Sequence, residues 1–123
     1  MPEERFRFIP GPTPCSVRIV FHGFWDEEAV QSYLAALRNR AAASAGKSPI
    51  NRALLDLRTC AVQSQAVMDS FSRIIENYAT QIGEYGIILP ESALLQLQMK
   101  RLMLPTSTRF FEDEVKALRW LGS

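Results

Sequence analysis

The sequence predicts an α/β domain with a mixed, mostly parallel five-stranded sheet in the order β-β-α-β-α-β-α-β-α. Three observations carry this. Short apolar runs alternate with longer segments of helical periodicity, the pattern of strands joined by helical crossovers. A Pro-rich break separates the first two strands, which suggests an antiparallel hairpin before the alternation begins. The chain has 123 residues, enough for one core and not two. A domain of this size buries roughly two-thirds of its unfolded surface and needs no metal or disulfide staple.

Phe6 and Phe8 open the first strand, and the stretch from Pro10 to Pro14 removes three backbone donors and breaks it. Val17, Ile19 and Phe21 then alternate with Arg18 and His22, the period of a strand with two different faces. Asp26 is placed to cap a helix whose first turn holds Glu27 and Glu28. Val30, Tyr33, Leu34, Leu37 and Ala41 give it an apolar stripe, and Lys47-Ser48-Pro49 is expected to end it. Trp25, just before the cap, is expected to staple against Ala29 or Val30.

The short apolar run at 53–58 reads as a buried parallel strand. A second long helix starts near Ser64, with Val67, Phe71, Ile74, Ile75, Tyr78 and Ile82 at helical spacing and Gly83 as the residue that ends it. Another buried strand runs over 85–89 and is closed by Pro90. Ser92 can cap the third helix, whose core face is Leu95, Met99, Leu102 and Met103. Leu94, Leu97 and Leu104 widen its apolar arc beyond what a surface helix needs, which marks them as an interface or the wall of an apolar pocket. A last strand covers 108–111. Asp113 opens a final helix with Val115, Leu118, Trp120 and Leu121 as packing candidates.

Charge and cysteine content exclude several function classes. Fourteen Lys and Arg against 13 Asp and Glu leave +1, no basis for binding nucleic acid or an anionic membrane. Two cysteines, Cys15 and Cys60, are too few for a disulfide scaffold. No integral membrane segment, signal peptide, metal site or cofactor motif is expected, which points to a cytoplasmic chain. His22 is the only histidine and reads as a strand-end polar residue rather than a base or ligand. Cys60 is expected just past the end of its strand, where a helix N-terminus could activate a thiol, but no base is indicated beside it. Glu112, Asp113 and Glu114 read as first-turn acids rather than a catalytic pair. Asp56 and Arg58 alternate about Leu57 and fall on one face. With Thr59 and Ser64 they form a polar patch whose adjacent helix start could receive an anion.

The strand ending Val17-Arg18-Ile19-Val20-Phe21-His22-Gly23, the strand Leu54-Leu55-Asp56-Leu57-Arg58, the strand Tyr85-Gly86-Ile87-Ile88-Leu89 and the ending from Arg109-Phe110-Phe111 to Trp120-Leu121 resemble, in order and spacing, the STAS-like fold of the anti-sigma-factor antagonist type. The nearest likeness is to the small bacterial SpoIIAA-like branch, over nearly the whole chain. That resemblance implies a non-catalytic module that binds a protein partner, often as a regulator. In phosphorylated members of the family an Asp-Ser pair opens the helix after the Asp-Leu strand. Here Ser64 stands where that aspartate would be and Gln65 where the serine would be; the SpoIIAA-like branch generally lacks that serine as well.

The sequence thus assigns Asp56, Arg58, Thr59, Cys60, Ser64 and Gln65 to a candidate partner-binding surface. It assigns Leu94, Leu97 and Leu104 to an apolar interface or pocket. The leading expectation is a protein-binding module, with a homodimer as one form. The alternatives are a carrier or sensor of a small apolar ligand, such as a lipid or fatty acid, and an enzyme using Cys60 or His22.

Overall fold

The computed structural model describes residues 5–43, 50–78 and 82–123. Its elements follow the order β1 (Phe6–Pro10), β2 (Ser16–Gly23), α1 (Glu27–Ala43), β3 (Ile50–Cys60), α2 (Gln65–Tyr78), β4 (Ile82–Ile88), α3 (Ala93–Leu102), β5 (Thr108–Phe111) and α4 (Glu114–Leu121). The five strands lie in sequence order across one sheet. β1 runs antiparallel to β2, and every other pairing is parallel. Pro10 is tolerated because β1 is an edge strand.

The strand order never reverses, and parallel crossovers have one hand. The three crossover helices α1, α2 and α3 therefore stack on the same face of the sheet. Their buried residues Val30, Tyr33, Val67, Met68, Leu95 and Met99 pack with Ile19, Phe21, Leu55, Leu57, Tyr85 and Ile87. The alternate residues of the strands face the other way. There α4 packs Ala117, Trp120 and Leu121 against Leu54 and Ile88 as a second, smaller core.

Each helix start carries the cap its sequence announces. The N–H of Ala29 donates to Asp26 Oδ1 at 2.8 Å, that of Leu95 to Ser92 Oγ at 3.2 Å, and that of Val115 to Asp113 Oδ1 at 2.7 Å. Trp25 is fully buried, in the same core cluster as Val30 and Ala29. Its ring lies 5.0 Å from Phe71, 5.5 Å from Tyr33 and 5.7 Å from Phe21, at the centre of an aromatic cluster joining β2, α1 and α2.

Some expectations need correction. Ile82 and Gly83 do not belong to α2; they open β4, where Ile82 pairs with Ile50. Four residues from Tyr78 to Ile82 fit a helical spacing, but the backbone bonds to β3 decide the matter. Residues 79–81 and the expected end of α1 at Lys47-Ser48-Pro49 lie outside the described residues. β3 is longer than the run at 53–58, because a central strand finds ladder partners on both sides. Thr59 and Cys60 are therefore its last residues, not a loop beyond it. Val115 and Leu118 are exposed, since the buried stripe of α4 is Ala117, Trp120 and Leu121 at i, i+3 and i+4.

No helix among the described residues is long and apolar enough to cross a membrane. Both cysteines are free thiols.

Gly86 shows how tightly α4 seats on the sheet. A Cβ there would lie 2.5 Å from the Trp120 ring and 3.1 Å from Phe111. Gly86→Ala is expected to lower stability by about 1–3 kcal/mol, the usual effect of overpacking a filled core. Chemical denaturation of the two proteins measures this. A change within error would mean that α4 is not held against β4 by Trp120.

Candidate functional site

The residues of the predicted polar patch separate into two groups on opposite faces of the sheet. Asp56 and Arg58 point to the α4 face. Arg18 from β2 and Glu114 from the start of α4 meet them there. Arg58 forks onto Asp56 through Nε to Oδ1 at 3.0 Å and Nη2 to Oδ2 at 2.7 Å. Arg18 Nη2 donates to the same Oδ2 at 2.7 Å. Arg58 Nη1 donates to Glu114 Oε2 at 2.6 Å, and Arg18 reaches Glu114 Oε1 at 3.3 Å. Two guanidiniums thus balance two carboxylates. The network is balanced in charge, with Arg18 Nε left without a partner among the described residues.

Asp56 is the buried centre, its side chain 5% exposed against 41% for Arg58. Burial alone would push its carboxyl up. The donors from Arg58 and Arg18 outweigh this and hold it below the ordinary carboxylate value. Glu114 is lowered too, chiefly by its bond to Arg58. The acid run Glu112, Asp113 and Glu114 therefore divides its roles: Asp113 caps α4, while Glu114 ties α4 to β2 and β3. A register shift between Val20 and His22 lies beside this network, the kind of irregularity that re-aims side chains next to functional sites.

The second group sits at the carboxyl ends of β2 and β3, organised by Gln63, which sequence reasoning missed. Gln63 is 5% exposed. Its Oε1 accepts from the N–H of Trp25 at 2.8 Å, and its Nε2 donates to the carbonyls of Ala61 at 2.7 Å and Gly23 at 3.0 Å. Gln98 of α3 brackets its backbone in turn: the Gln63 N–H donates to Gln98 Oε1 at 3.2 Å, and Gln98 Nε2 donates to the Gln63 carbonyl at 2.9 Å. Gly23 turns the chain with φ +70°, a conformation that favours glycine. One amide thus links the loops after β2 and β3, and the pair with Gln98 adds α3. Its only sequence signal was a lone glutamine in a short loop, which is too weak to notice.

Cys60 sits inside this knot. Its thiol approaches the Gly23 carbonyl at 3.7 Å, the Ala61 carbonyl at 3.6 Å and Gln63 Nε2 at 3.4 Å. Burial pushes its pKa up to about 11, so it is a protonated thiol at neutral pH. None of these neighbours is a base. The strand order also lacks the reversal that opens a ligand crevice at the carboxyl ends of a parallel sheet. His22 is exposed on β2. Among the described residues no three His, Cys, Asp or Glu side chains gather to hold a metal.

Thr59 is exposed, and its hydroxyl donates to the Phe21 carbonyl at 3.2 Å. Ser64 caps α2, its Oγ accepting from the Val67 N–H at 3.2 Å. Gln65 bonds Asp69 at 2.9 Å on the exposed side of α2. There it joins Leu94 and Leu97 of α3, with Asp69, Met68 and Arg101, along a groove of about 270 Å3 between the two helices. Leu94 and Leu97 are more than half exposed, and Leu104, past the helix end, is 80% exposed. None of these three leucines lines the internal cavity, to which α3 contributes Met99 and Leu102.

That cavity lies between the sheet and α1, α2 and α3 and measures about 60 Å3. Its walls are apolar apart from Gln63, Tyr33, Tyr78 and Tyr85. Burial, reinforced by the neighbouring Tyr85 and Tyr78, raises Tyr33 well above the ordinary phenol value. Burial raises Tyr85 to about 12. A cavity of roughly 150 Å3 is what admits benzene, so this space does not enclose a lipid chain.

Two predictions follow from the buried polar groups. The folded pKa of Asp56 is depressed, so its contribution is full above its unfolded value of about 3.9 and is lost as pH falls through the folded one. Asp56→Asn is expected to lose roughly 2–3 kcal/mol at pH 7, below the figure for a wholly buried pair because one partner is partly solvated. The stability gap to the parent should narrow between pH 5 and pH 2, followed by urea unfolding at each pH; a gap constant across that range would remove the linkage. Gln63→Leu strands the Trp25 N–H and removes the donor to the Ala61 carbonyl, while the Gly23 carbonyl keeps the Ala61 N–H, with an expected loss of about 1–3 kcal/mol. It should also bring faster hydrogen exchange at Trp25, and unchanged exchange there would remove the role assigned to Gln63.

No family model matches the chain, and no curated protein matches it either. Among solved structures it is similar to an uncharacterized protein of the DUF3478 family with a SpoIIAA-like fold from Shewanella loihica PV-4. That likeness has 20% identity and a TM-score of 0.71, and covers 94% of this chain and 91% of that one. The sheet order, the three crossover helices on one face and α4 on the other are thus a SpoIIAA-like fold, as the sequence resemblance implied.

Proposed function

We propose that this chain is a non-catalytic module that acts by binding a protein partner across the α2–α3 face. One observation carries the reading. Gln65, from the expected partner-binding surface, and Leu94 and Leu97, from the expected apolar interface, line a single groove. Two leucines more than half exposed, with Asp69 and Arg101 beside them, have the make-up of an interface: an apolar centre and a polar rim. Met68 adds a pliable wall. The fitting partner is an amphipathic segment that places apolar side chains between α2 and α3 and sets opposite charges against Asp69 and Arg101. The SpoIIAA-like fold supports a role in protein interaction. The Cys60 thiol, protonated and without a base, gives no support to catalysis.

A photo-cross-linking residue introduced at Gln65 in cells tests this. The expected result is one discrete adduct that disappears with Leu97→Glu and persists with Val115→Glu, an equally exposed site on α4. An adduct of twice the chain's mass would identify the partner as a second copy. No adduct, or one indifferent to Leu97→Glu, would overturn the proposal.

A further inference from the structure

The α2–α3 face is complementary to itself. Leu94, Leu97 and Arg101 stand at i, i+3 and i+7 on α3, which places them in one outward stripe. Both leucines are more than half exposed, and Leu104 continues the spacing just past the helix end, 80% exposed.

Charge divides between the two helices. α3 carries Lys100 and Arg101 and no acid. α2 carries Asp69 and Glu76, two turns apart and on the same side. Arg73 stands between these acids in sequence and is the one cation of α2, but it lines the α1 flank. α2 is thus net negative and α3 net positive. The two do not neutralise each other within the chain: among the described residues no ion pair joins them. The Asp69 carboxylate accepts from Gln65 of its own helix, and Lys100 lies over the Phe110 ring at 6.0 Å. Asp69 and Arg101 therefore line one groove with their charges uncompensated by each other.

A partner that fits must offer α2 a cation beside apolar side chains, and offer α3 an acid. The same face turned over by a two-fold axis does both, because a symmetric contact makes each pairing twice. The direction of the axis follows from the charges. An axis across the helices would stack like on like, α3 on α3 and α2 on α2, and like charges oppose association. An axis along the groove lays α3 of each copy on α2 of the other.

We infer that the α2–α3 face pairs with the same face of a second copy of this chain, about a two-fold axis running along the groove. Leu94 and Leu97 meet their symmetry mates over Met68, and Arg101 of each protomer meets Asp69 of the other. This rests on the reading of the face as a protein-binding surface and names its partner.

Sedimentation velocity of the purified full chain, with charge-swapped variants, is the test. The expected result for the parent is a concentration-dependent dimer. Asp69→Arg alone and Arg101→Asp alone should each weaken it about tenfold or more, since each sets like charges together twice. An equimolar mixture of the two single variants should restore a dimer, because every contact across the axis is then opposite in sign. Leu97→Glu should abolish the parent dimer, and Val115→Glu should leave it unchanged. Asp69, Leu97 and Arg101 are exposed, so all variants should keep the parent melting temperature, checked by circular dichroism. A parent chain that stays monomeric, a dimer indifferent to Leu97→Glu, or a mixture no better associated than the single variants would overturn the inference. A discrete Gln65 adduct of another mass in cells, with the purified chain monomeric, would overturn it and leave the protein-binding reading standing. Neither adduct nor dimer would overturn both.

Discussion

The unreversed strand order is the constraint on which the rest of the structure depends. With crossovers of one hand, β2 to β5 can advance across the sheet only if α1, α2 and α3 share a face. That places most of the apolar surface in one layer and leaves the other face to α4 alone. It also removes the crevice that a reversed order would open at the strand ends. On that layer the three packed helices leave two grooves between them.

The two buried polar clusters follow from the same layout. α4 is short and covers only part of its face, so a charged group can reach the sheet beside it. Asp56 does so, and Arg18, Arg58 and Glu114 compensate it with good geometry. A buried carboxylate without such partners would be strongly unfavourable. At the carboxyl ends of β2 and β3 the chains leaving the sheet are joined by one further backbone bond, from the Ala61 N–H to the Gly23 carbonyl at 3.1 Å. Gln63 supplies donors and an acceptor there, and Gln98 fastens α3 to the same point. Most polar groups of both clusters pair internally, Arg18 Nε being the exception, which is why they read as structural anchors rather than as reactive centres.

The helical grooves differ in character for a reason visible along α2. Gln65, Met68, Asp69 and Ser72 face α3, while Ser70, Arg73, Ile74 and Asn77 face α1. The first side carries both signs of charge beside exposed leucines, and suits a polypeptide. The second carries Arg38 and Arg73 beside Leu34 and Ile74.

The sequence by itself determined the element order, the hairpin, the caps Asp26, Ser92 and Asp113, and the outward leucines of α3. These are local matters: a cap acts over three residues, and a stripe needs only periodicity. It also carried the resemblance to a SpoIIAA-like fold, because order and spacing persist where identity does not. Only the tertiary structure decided where Ile82 and Gly83 belong, since a strand start and a helix end look alike until a neighbouring strand supplies the bonds. It likewise divided Asp56 and Arg58 from Ser64 and Gln65. Residues adjacent in sequence reach opposite faces of a sheet through the pleat and the crossover, and no linear spacing reveals it. Gln63, Arg18 and Glu114 stayed hidden for the same reason: the partners that fix their roles, Trp25 and Gln98 for Gln63 and each other for Arg18 and Glu114, lie between 35 and 96 residues away. The groove between α1 and α2 depends on two helices that the sequence could draw but could not set side by side.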